Sequence, residues 1–163
     1  MPVLVSDTSV IIDLERGALL EDLFRLPFEF AVPDLLFSRE LAGPLGDRLV
    51  ALGLRVEELT SIELASATTI RRERKELSTA DTFAFAIAEG RRWPLLTGDG
   101  GLRRLAAERQ IAFHGVLWIC DQFEEGQHVP GPRLHAGLMA ISSHPRCRLP
   151  ATEVRVRLGR YVI

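Results

Sequence analysis

Short, continuous apolar runs alternate along this chain with segments whose apolar residues recur at helical spacing. Pro2–Ser6 is nearly all apolar and predicts a strand buried on both faces of a parallel sheet. Thr8 or Ser9 can cap the short helix that follows, which carries Val10, Ile11, Ile12 and Leu14. Gly17 interrupts that helix, Ala18–Leu26 resumes it, and Pro27 breaks the pattern. Phe28–Val32 predicts a second strand. Pro33 and Asp34 then start a helix running to Leu41, which Gly43-Pro44 ends.

Leu54–Glu58 predicts a third, shorter strand, and Ser61 opens a helix toward Glu76 that turns polar in "RRERKE". Ser78 caps the next helix, with Asp81 three residues on, close to a capping-box arrangement. Phe83 to Ala88 is apolar without a break, so this helix is expected to be central and buried on most sides. Leu95–Thr97 reads as the fourth strand, Gly100–Arg109 as a helix, Ile111–Phe113 as a last short strand and Val116–Glu124 as a helix. Past Gly126 the character changes: "GQHVPGP" is a loop, and Arg133–Ile141 and Ala151–Leu158 read as two small helices. Strands alternating with helices predict an α/β fold, a three-layer α/β/α sandwich with a parallel central sheet. The expected organisation is a single domain over 1–163, with a core over 1–125 and a C-terminal helical extension over 126–163. There is no internal repeat, low-complexity tract or interdomain linker.

Composition narrows the class. A chain of 163 residues buries roughly 70% of the surface its unfolded form exposes. With 47% hydrophobic and 26% charged residues it has an ordinary globular composition. A net charge of −2 and a pI near 6.1 exclude an overall basic attraction to nucleic acid but leave room for a local patch. Of the 20 basic residues only Lys75 is lysine, and arginine binds phosphate in a bidentate way that lysine does not. Cys120 and Cys147 lack metal-ligand spacing and read as buried thiols of a reducing cytoplasm. The N-terminus has no basic region and reads as a first strand, not a signal peptide. No apolar stretch approaches the ~18 residues of a membrane-spanning helix.

Four acidic residues stand at the edges of these segments. Asp7 ends the first strand and opens "DTSVIIDL"; Asp99 follows the fourth strand and precedes the pair Gly100-Gly101. Asp81 lies in the first turn of the apolar helix, and Glu40 lies in "VPDLLFSREL". Carboxylates just beyond strand ends occupy the place where open α/β sheets hold ligands. Converging carboxylates raise one another's pKa unless a cation joins them. The natural cation for an all-oxygen site is Mg²⁺ or Mn²⁺. The pattern points to metal-dependent chemistry on a phosphate-bearing substrate. Each acid also has a structural reading: Asp7 and Asp99 as helix caps, Asp81 as a charge favoured by a helix dipole, Glu40 as part of a solvated face. Asp13, Glu15, Asp34 and Asp121 read as solvated faces or caps. His114, His128, His135 and His144 share no motif, and metal-assisted hydrolysis needs no histidine base.

Taken in order, "DTSVIIDL", "VPDLLFSREL", "LSTADTFAFAIAEG" and "PLLTGDGGLRRLA" resemble the PIN domain family over residues 1 to about 125. The resemblance implies a metal-dependent ribonuclease acting on single-stranded RNA, often the toxin of a VapC-type toxin–antitoxin pair. It implies Asp7, Glu40, Asp81 and Asp99 as the acidic site holding Mg²⁺ or Mn²⁺, supported by Thr8, Ser9 and Thr97. It also implies an antitoxin partner, a homodimer and a cytoplasmic location. Arg39, Arg103 and Arg104 lie near the acids in sequence, and Arg71, Arg72, Arg74 and Lys75 form a basic cluster; these are RNA-binding candidates, with solvated helix faces as the alternative. Two departures stand out: family members often carry another acidic residue, Asn or an apolar aromatic just after the fourth Asp, where this chain has Gly100-Gly101-Leu102, and the tail beyond about 125 is longer than in minimal toxins and is more similar to a PIN subgroup with extra C-terminal helices. A dehalogenase-like phosphatase would want an acid at position nine, which is Ser9. The remaining competitor is a non-enzymatic module of the same fold that binds protein or RNA.

Overall fold

The structure, a computed structural model, describes residues 1–161. Five parallel strands form one sheet in the order β3-β2-β1-β4-β5: β1 (Val3–Ser6), β2 (Glu29–Pro33), β3 (Arg55–Glu57), β4 (Leu95–Leu96) and β5 (Phe113–His114). β1 is central, with Val5 paired to Ala31 on one side and Leu95 on the other. Side chains alternate across the pleat. Leu4 and Leu96 enter one core with Ile11, Leu14, Ile119 and Phe123; Val5 and Leu95 enter a second with Phe85, Ile87, Leu102 and Leu105. Two cores on opposite faces of one sheet make the three-layer α/β/α sandwich.

The helices are α1 (Thr8–Arg16), α2 (Leu20–Leu23), α3 (Asp34–Leu36), α4 (Pro44–Leu52), α5 (Ser61–Glu73), α6 (Thr79–Arg91), α7 (Gly100–Glu108), α8 (Val116–Glu125), α9 (Gly131–Ser142) and α10 (Ala151–Arg160). Several differ from the expectation. Ala18 adopts a positive φ of 54°, so only Leu20–Leu23 of the expected Ala18–Leu26 helix forms. The α3 segment continues to Leu41 as a wider π turn, Phe37–Leu41. Gly43-Pro44 ends that segment but also starts α4, which the sequence reading left unassigned. Gly43 takes the φ of 113° that reverses the chain, and Pro44 occupies the first helical turn, where its missing N–H is harmless. α5 stops at Glu73, and β5 lies at Phe113–His114, not Ile111–Phe113. Cys120 is buried, with its thiol pushed up to about 12 by burial; Cys147 is only half-buried.

The chain runs from β1 outward to β2 and β3, then crosses back to β4 and β5. The strand order therefore reverses between β1 and β4, which opens a crevice at the carboxyl ends of these two strands. Polar ties hold the surrounding helices. Arg91 donates to Glu63 at 3.0 Å, to Glu57 at 2.8 Å and to the Glu58 carbonyl at 2.7 Å, joining α5 and β3 to α6. Burial alone would raise the Glu63 pKa, but hydrogen bonds from Arg91 and the Thr60 N–H hold it below the ordinary carboxylate value.

The two C-terminal helices are tied to the same framework. Arg133 of α9 grips the buried Asp22 with two bonds of 2.7 and 2.6 Å, and Arg157 of α10 grips Asp121 with bonds of 2.8 and 2.7 Å. At Gly17 and Gly137 the backbones of α1 and α9 touch: a Cβ on Gly137 would stand 2.8 Å from the Gly17 carbonyl oxygen. Gly137→Ala is therefore expected to destabilise the protein by about 1–3 kcal/mol, although alanine is the better helix former. Gly159→Ala on α10 meets nothing within 4 Å and serves as the control; it is expected to be neutral or stabilising by up to ~1 kcal/mol. Urea unfolding of the two variants checks both signs.

Candidate active site

Asp7 follows the last residue of β1 and is the N-cap of α1, the structural role the sequence offered for it beside Thr8 or Ser9. It is 3% exposed, and three donors converge on it. Oδ1 accepts from the Val10 N–H at 3.1 Å and the Ser9 hydroxyl at 2.8 Å; Oδ2 accepts from the Thr97 hydroxyl. Thr97, fully buried at the end of β4, also accepts the Asp99 N–H at 2.9 Å. One threonine thus positions both acids of the crevice. Asp99 caps α7, with Oδ2 accepting from the Leu102 N–H at 2.9 Å.

Asp81 and Glu40 come from the helices that flank the crevice. Asp81 forms a full capping box with Ser78, whose N–H it accepts at 3.2 Å while its own N–H bonds the Ser78 hydroxyl at 3.0 Å. Glu40 sits in the π turn, exposed, and accepts from the Thr8 hydroxyl. π turns inside helices recur at functional sites because they re-aim a side chain. All three hydroxyls expected to support the acids do contact them: Ser9 and Thr97 on Asp7, Thr8 on Glu40. Glu40, Asp81 and Asp99 each commit one carboxylate oxygen to these scaffold bonds. The second oxygen of each has no hydrogen-bond partner among the described residues.

The electrostatics agree with this grouping. Burial raises the Asp7 pKa, the Asp81 charge adds to the rise, and the bonds from Thr97, Ser9 and Val10 oppose it. Burial raises the Asp81 pKa as well, with Asp99 and Glu40 adding to it. Among the described residues no arginine or lysine forms a salt bridge with any of the four acids. Asp13, Glu15 and Asp121, by contrast, are paired with Arg16, Arg48 and Arg157, and Asp34 accepts from the Leu35 N–H. Unpaired carboxylates that repel one another, all with hard oxygen donors, fit a divalent cation such as Mg²⁺ or Mn²⁺. As the side chains stand, no three His, Cys, Asp or Glu among the described residues close around one point. The fit is therefore one of donor chemistry and shared location.

The departure after Asp99 has a packing cause. A Cβ on Gly101 would lie 2.9 Å from Leu77 Cδ2 and 3.1 Å from Asp99 Oδ2, so the glycine lets the α5–α6 loop close against the crevice. The basic cluster spans the last turn of α5, Arg71 and Arg72, and that loop, Arg74 and Lys75. Arg71 donates to the Thr79 hydroxyl, beside Asp81, and Arg74 is paired with Glu108. Arg72, Lys75 and, on the other side, Arg39 are exposed without an acidic partner among the described residues, as is Arg104. Arg103 is placed differently: it is half-buried and donates through Nε to the Thr97 carbonyl at 3.0 Å. Sequence reasoning also passed over His114, which stacks on Trp118 with ring centroids 4.0 Å apart. The i, i+4 spacing of the two rings was the only signal, and it spans a strand-to-helix junction where helical spacing has no meaning.

The raised pKa of Asp7 has a consequence for stability. The folded state holds this proton more tightly than the unfolded chain, whose value is near 3.8. The associated stability is present below that pH and is lost as pH rises through the folded pKa. At neutral pH, with divalent ions chelated, Asp7 therefore opposes folding. Asp7→Asn keeps the acceptor for Val10 and Ser9 and is expected to be more stable than wild type by about 1 kcal/mol at pH 7, a gain that shrinks toward pH 4. Urea titrations of the pair in EDTA across this range test the sign.

No helix among the described residues is long and apolar enough to cross a membrane. No curated protein matches the chain. A family model of the PIN domain matches residues 3–160, a span that includes all four acids and runs through both C-terminal helices. On that match, and on the parallel sandwich with its acidic crevice, the chain belongs to the PIN domain family.

Proposed function

We propose that this chain is a metal-dependent endoribonuclease that hydrolyses phosphodiester bonds in single-stranded RNA, and that it is the toxin of a type II toxin–antitoxin pair. PIN domains are generally nucleases, which sets the coarse class as a hydrolase that binds nucleic acid. The observation that carries the finer reading is the gathering of Asp7, Glu40, Asp81 and Asp99 at the reversal point of the sheet with no cationic side chain between them.

In this reading the four carboxylates hold Mg²⁺ or Mn²⁺, which when bound acidifies water and offsets charge gathering on phosphorus. The chain's own residues supply the geometry. Thr97 and Ser9 fix the Asp7 carboxylate, the capping box fixes Asp81, and Thr8 steadies Glu40. Because these contacts use hydroxyls and backbone N–H groups, the site keeps its full negative charge for the cation. Arg71, Arg72, Arg74 and Lys75 at the α5–α6 loop, with Arg39 on the far side, lie where the flanking phosphates of a strand would pass. The same reading includes an antitoxin, a homodimer and a cytoplasmic setting; exposed Ile62 and Leu64 on α5 offer apolar surface to a protein partner.

The test is cleavage of an end-labelled single-stranded RNA by the purified chain in Mn²⁺, Mg²⁺ or EDTA. Cleavage is expected with either ion, none in EDTA, and a loss of at least ~100-fold in Asp7→Asn. Mn²⁺ is also expected to raise the melting temperature of the wild type and not of an Asp7→Asn/Asp81→Asn double variant. A folded wild type that binds RNA without cutting it in either metal would make this a binding module instead.

A further inference from the structure

Among the described residues Arg103 is the one half-buried arginine without an acidic partner; the other arginines that lack one are all exposed. A half-buried guanidinium left without a counter-charge is a place where an anion binds favourably. Its position is over-determined. Nε donates to the Thr97 carbonyl, the guanidinium lies 5.5 Å from the Phe113 ring centroid, and a side chain on Gly115 would collide with it. Gly115 is thus small where Arg103 needs room. Through Thr97, Arg103 is one residue from both Asp7 and Asp99.

Beside it, β5 forms the edge of the sheet, and the His114 carbonyl accepts the Thr97 N–H at 2.9 Å. The His114 and Trp118 rings lie nearly parallel, 14° apart, and Phe28 backs Trp118 at 5.6 Å. Both stacked residues are half-buried, each keeping part of its surface open. Burial and the Arg103 charge lower the His114 pKa, so the ring is neutral at pH 7 and presents a plain aromatic face. A cation over Phe113 and the His114–Trp118 pair flank the β5 edge from its two faces, next to the acidic crevice, and together they supply the parts of a single-stranded nucleotide site: the cation takes a phosphate and the rings extend a base stack.

We propose that Arg103, His114 and Trp118 form a subsite for one nucleotide of single-stranded RNA, adjoining the acidic crevice on its β5 side. Arg103 binds the phosphate next to the one being cut, and the base of that nucleotide adds to the His114–Trp118 stack. The subsite rests on the nuclease reading above and extends it by fixing which side of the crevice the strand leaves. Stacking on aromatic rings accepts any base, so the subsite contributes affinity and register without strong sequence choice.

The test uses the full chain and a fluorescein-labelled 12-mer RNA of mixed sequence, with binding followed by anisotropy in EDTA and cleavage followed in Mn²⁺. Arg103→Gln is expected to weaken binding about tenfold and to flatten its salt dependence by about one phosphate contact. His114→Ala, which keeps the backbone bond to Thr97 and removes a side chain that bonds neither Thr97 nor the acids, is expected to weaken binding by a similar factor, roughly tenfold. RNA is expected to quench tryptophan fluorescence in the wild type and not in Trp118→Phe, which leaves Trp93 as the other emitter. If the wild type cuts RNA while both variants bind as it does and no quench occurs, the subsite is wrong and the nuclease reading stands. If the wild type neither binds nor cuts, both fall. Melting curves accompany each variant, and should Arg103→Gln fail to fold, His114→Ala and the Trp118 quench decide.

Discussion

A carboxylate at the end of a central parallel strand is held in place against its own desolvation, and the organisation of this molecule follows from how Asp7 is held. Its chief distant partner is Thr97, ninety residues along the chain, and the two meet because β1 pairs with β4. That pairing is the return crossover of the sheet. A slip of one residue in its register would turn Thr97 to the other face and leave Asp7 without its donor. The same threonine accepts from the Asp99 N–H and offers its carbonyl to Arg103. One side chain and one peptide group therefore set the positions of two acids and the half-buried Arg103, and the geometry of the crevice is inherited from the strand order.

Much of this was legible in the sequence. The apolar runs at Pro2–Ser6 and Leu95–Thr97 marked the two strands because central parallel strands are buried on both faces, and the acids at their ends marked the crevice. The Ser78–Asp81 capping box was visible because it depends on four consecutive residues. What escaped depends on contacts that local pattern does not encode. α4 was missed because Gly43-Pro44 is at once a stop and a start, and only the chain's reversal at Gly43 tells them apart. The π turn under Glu40 leaves no trace in apolar spacing over five residues. The isolation of Arg103 is a statement about every acid in the molecule, so no window of sequence contains it.

Gly101 shows how a departure from a family pattern acquires a cause. In sequence it is a missing ligand; in the fold it is the place where Leu77 packs against Asp99, bringing the loop between α5 and α6 down onto the crevice. The longer tail has a comparable role. α9 touches the end of α1 through the Gly17–Gly137 contact, and Asp7 is the residue that starts α1. The C-terminal helices thus brace, from behind, the helix whose first turn orients the most buried acid. A buried carboxylate that opposes folding at neutral pH has to be offset by packing elsewhere, and these helices enlarge the core on that side of the sheet.

The near-neutral net charge of −2 conceals a division of labour among the charged residues. Across the body of the protein arginines are matched to acids: Arg91 with Glu57 and Glu63, Arg133 with Asp22, Arg157 and Arg160 with Asp121 and Glu124. These pairs cancel and contribute little field at a distance. The unmatched charges are what a ligand meets. Beside scattered exposed charges such as Arg92, Arg146, Glu21 and Glu125, they include the four carboxylates of the candidate site, the half-buried Arg103 guanidinium, and exposed Arg72 and Lys75 near the end of α5. Under the proposed function, a negative centre flanked by positive charge would let a bound cation neutralise the acids while the flanking arginines engage neighbouring phosphates. Composition alone excludes a strongly basic nucleic-acid binder; the proposed function rests instead on how the charges are distributed around the crevice.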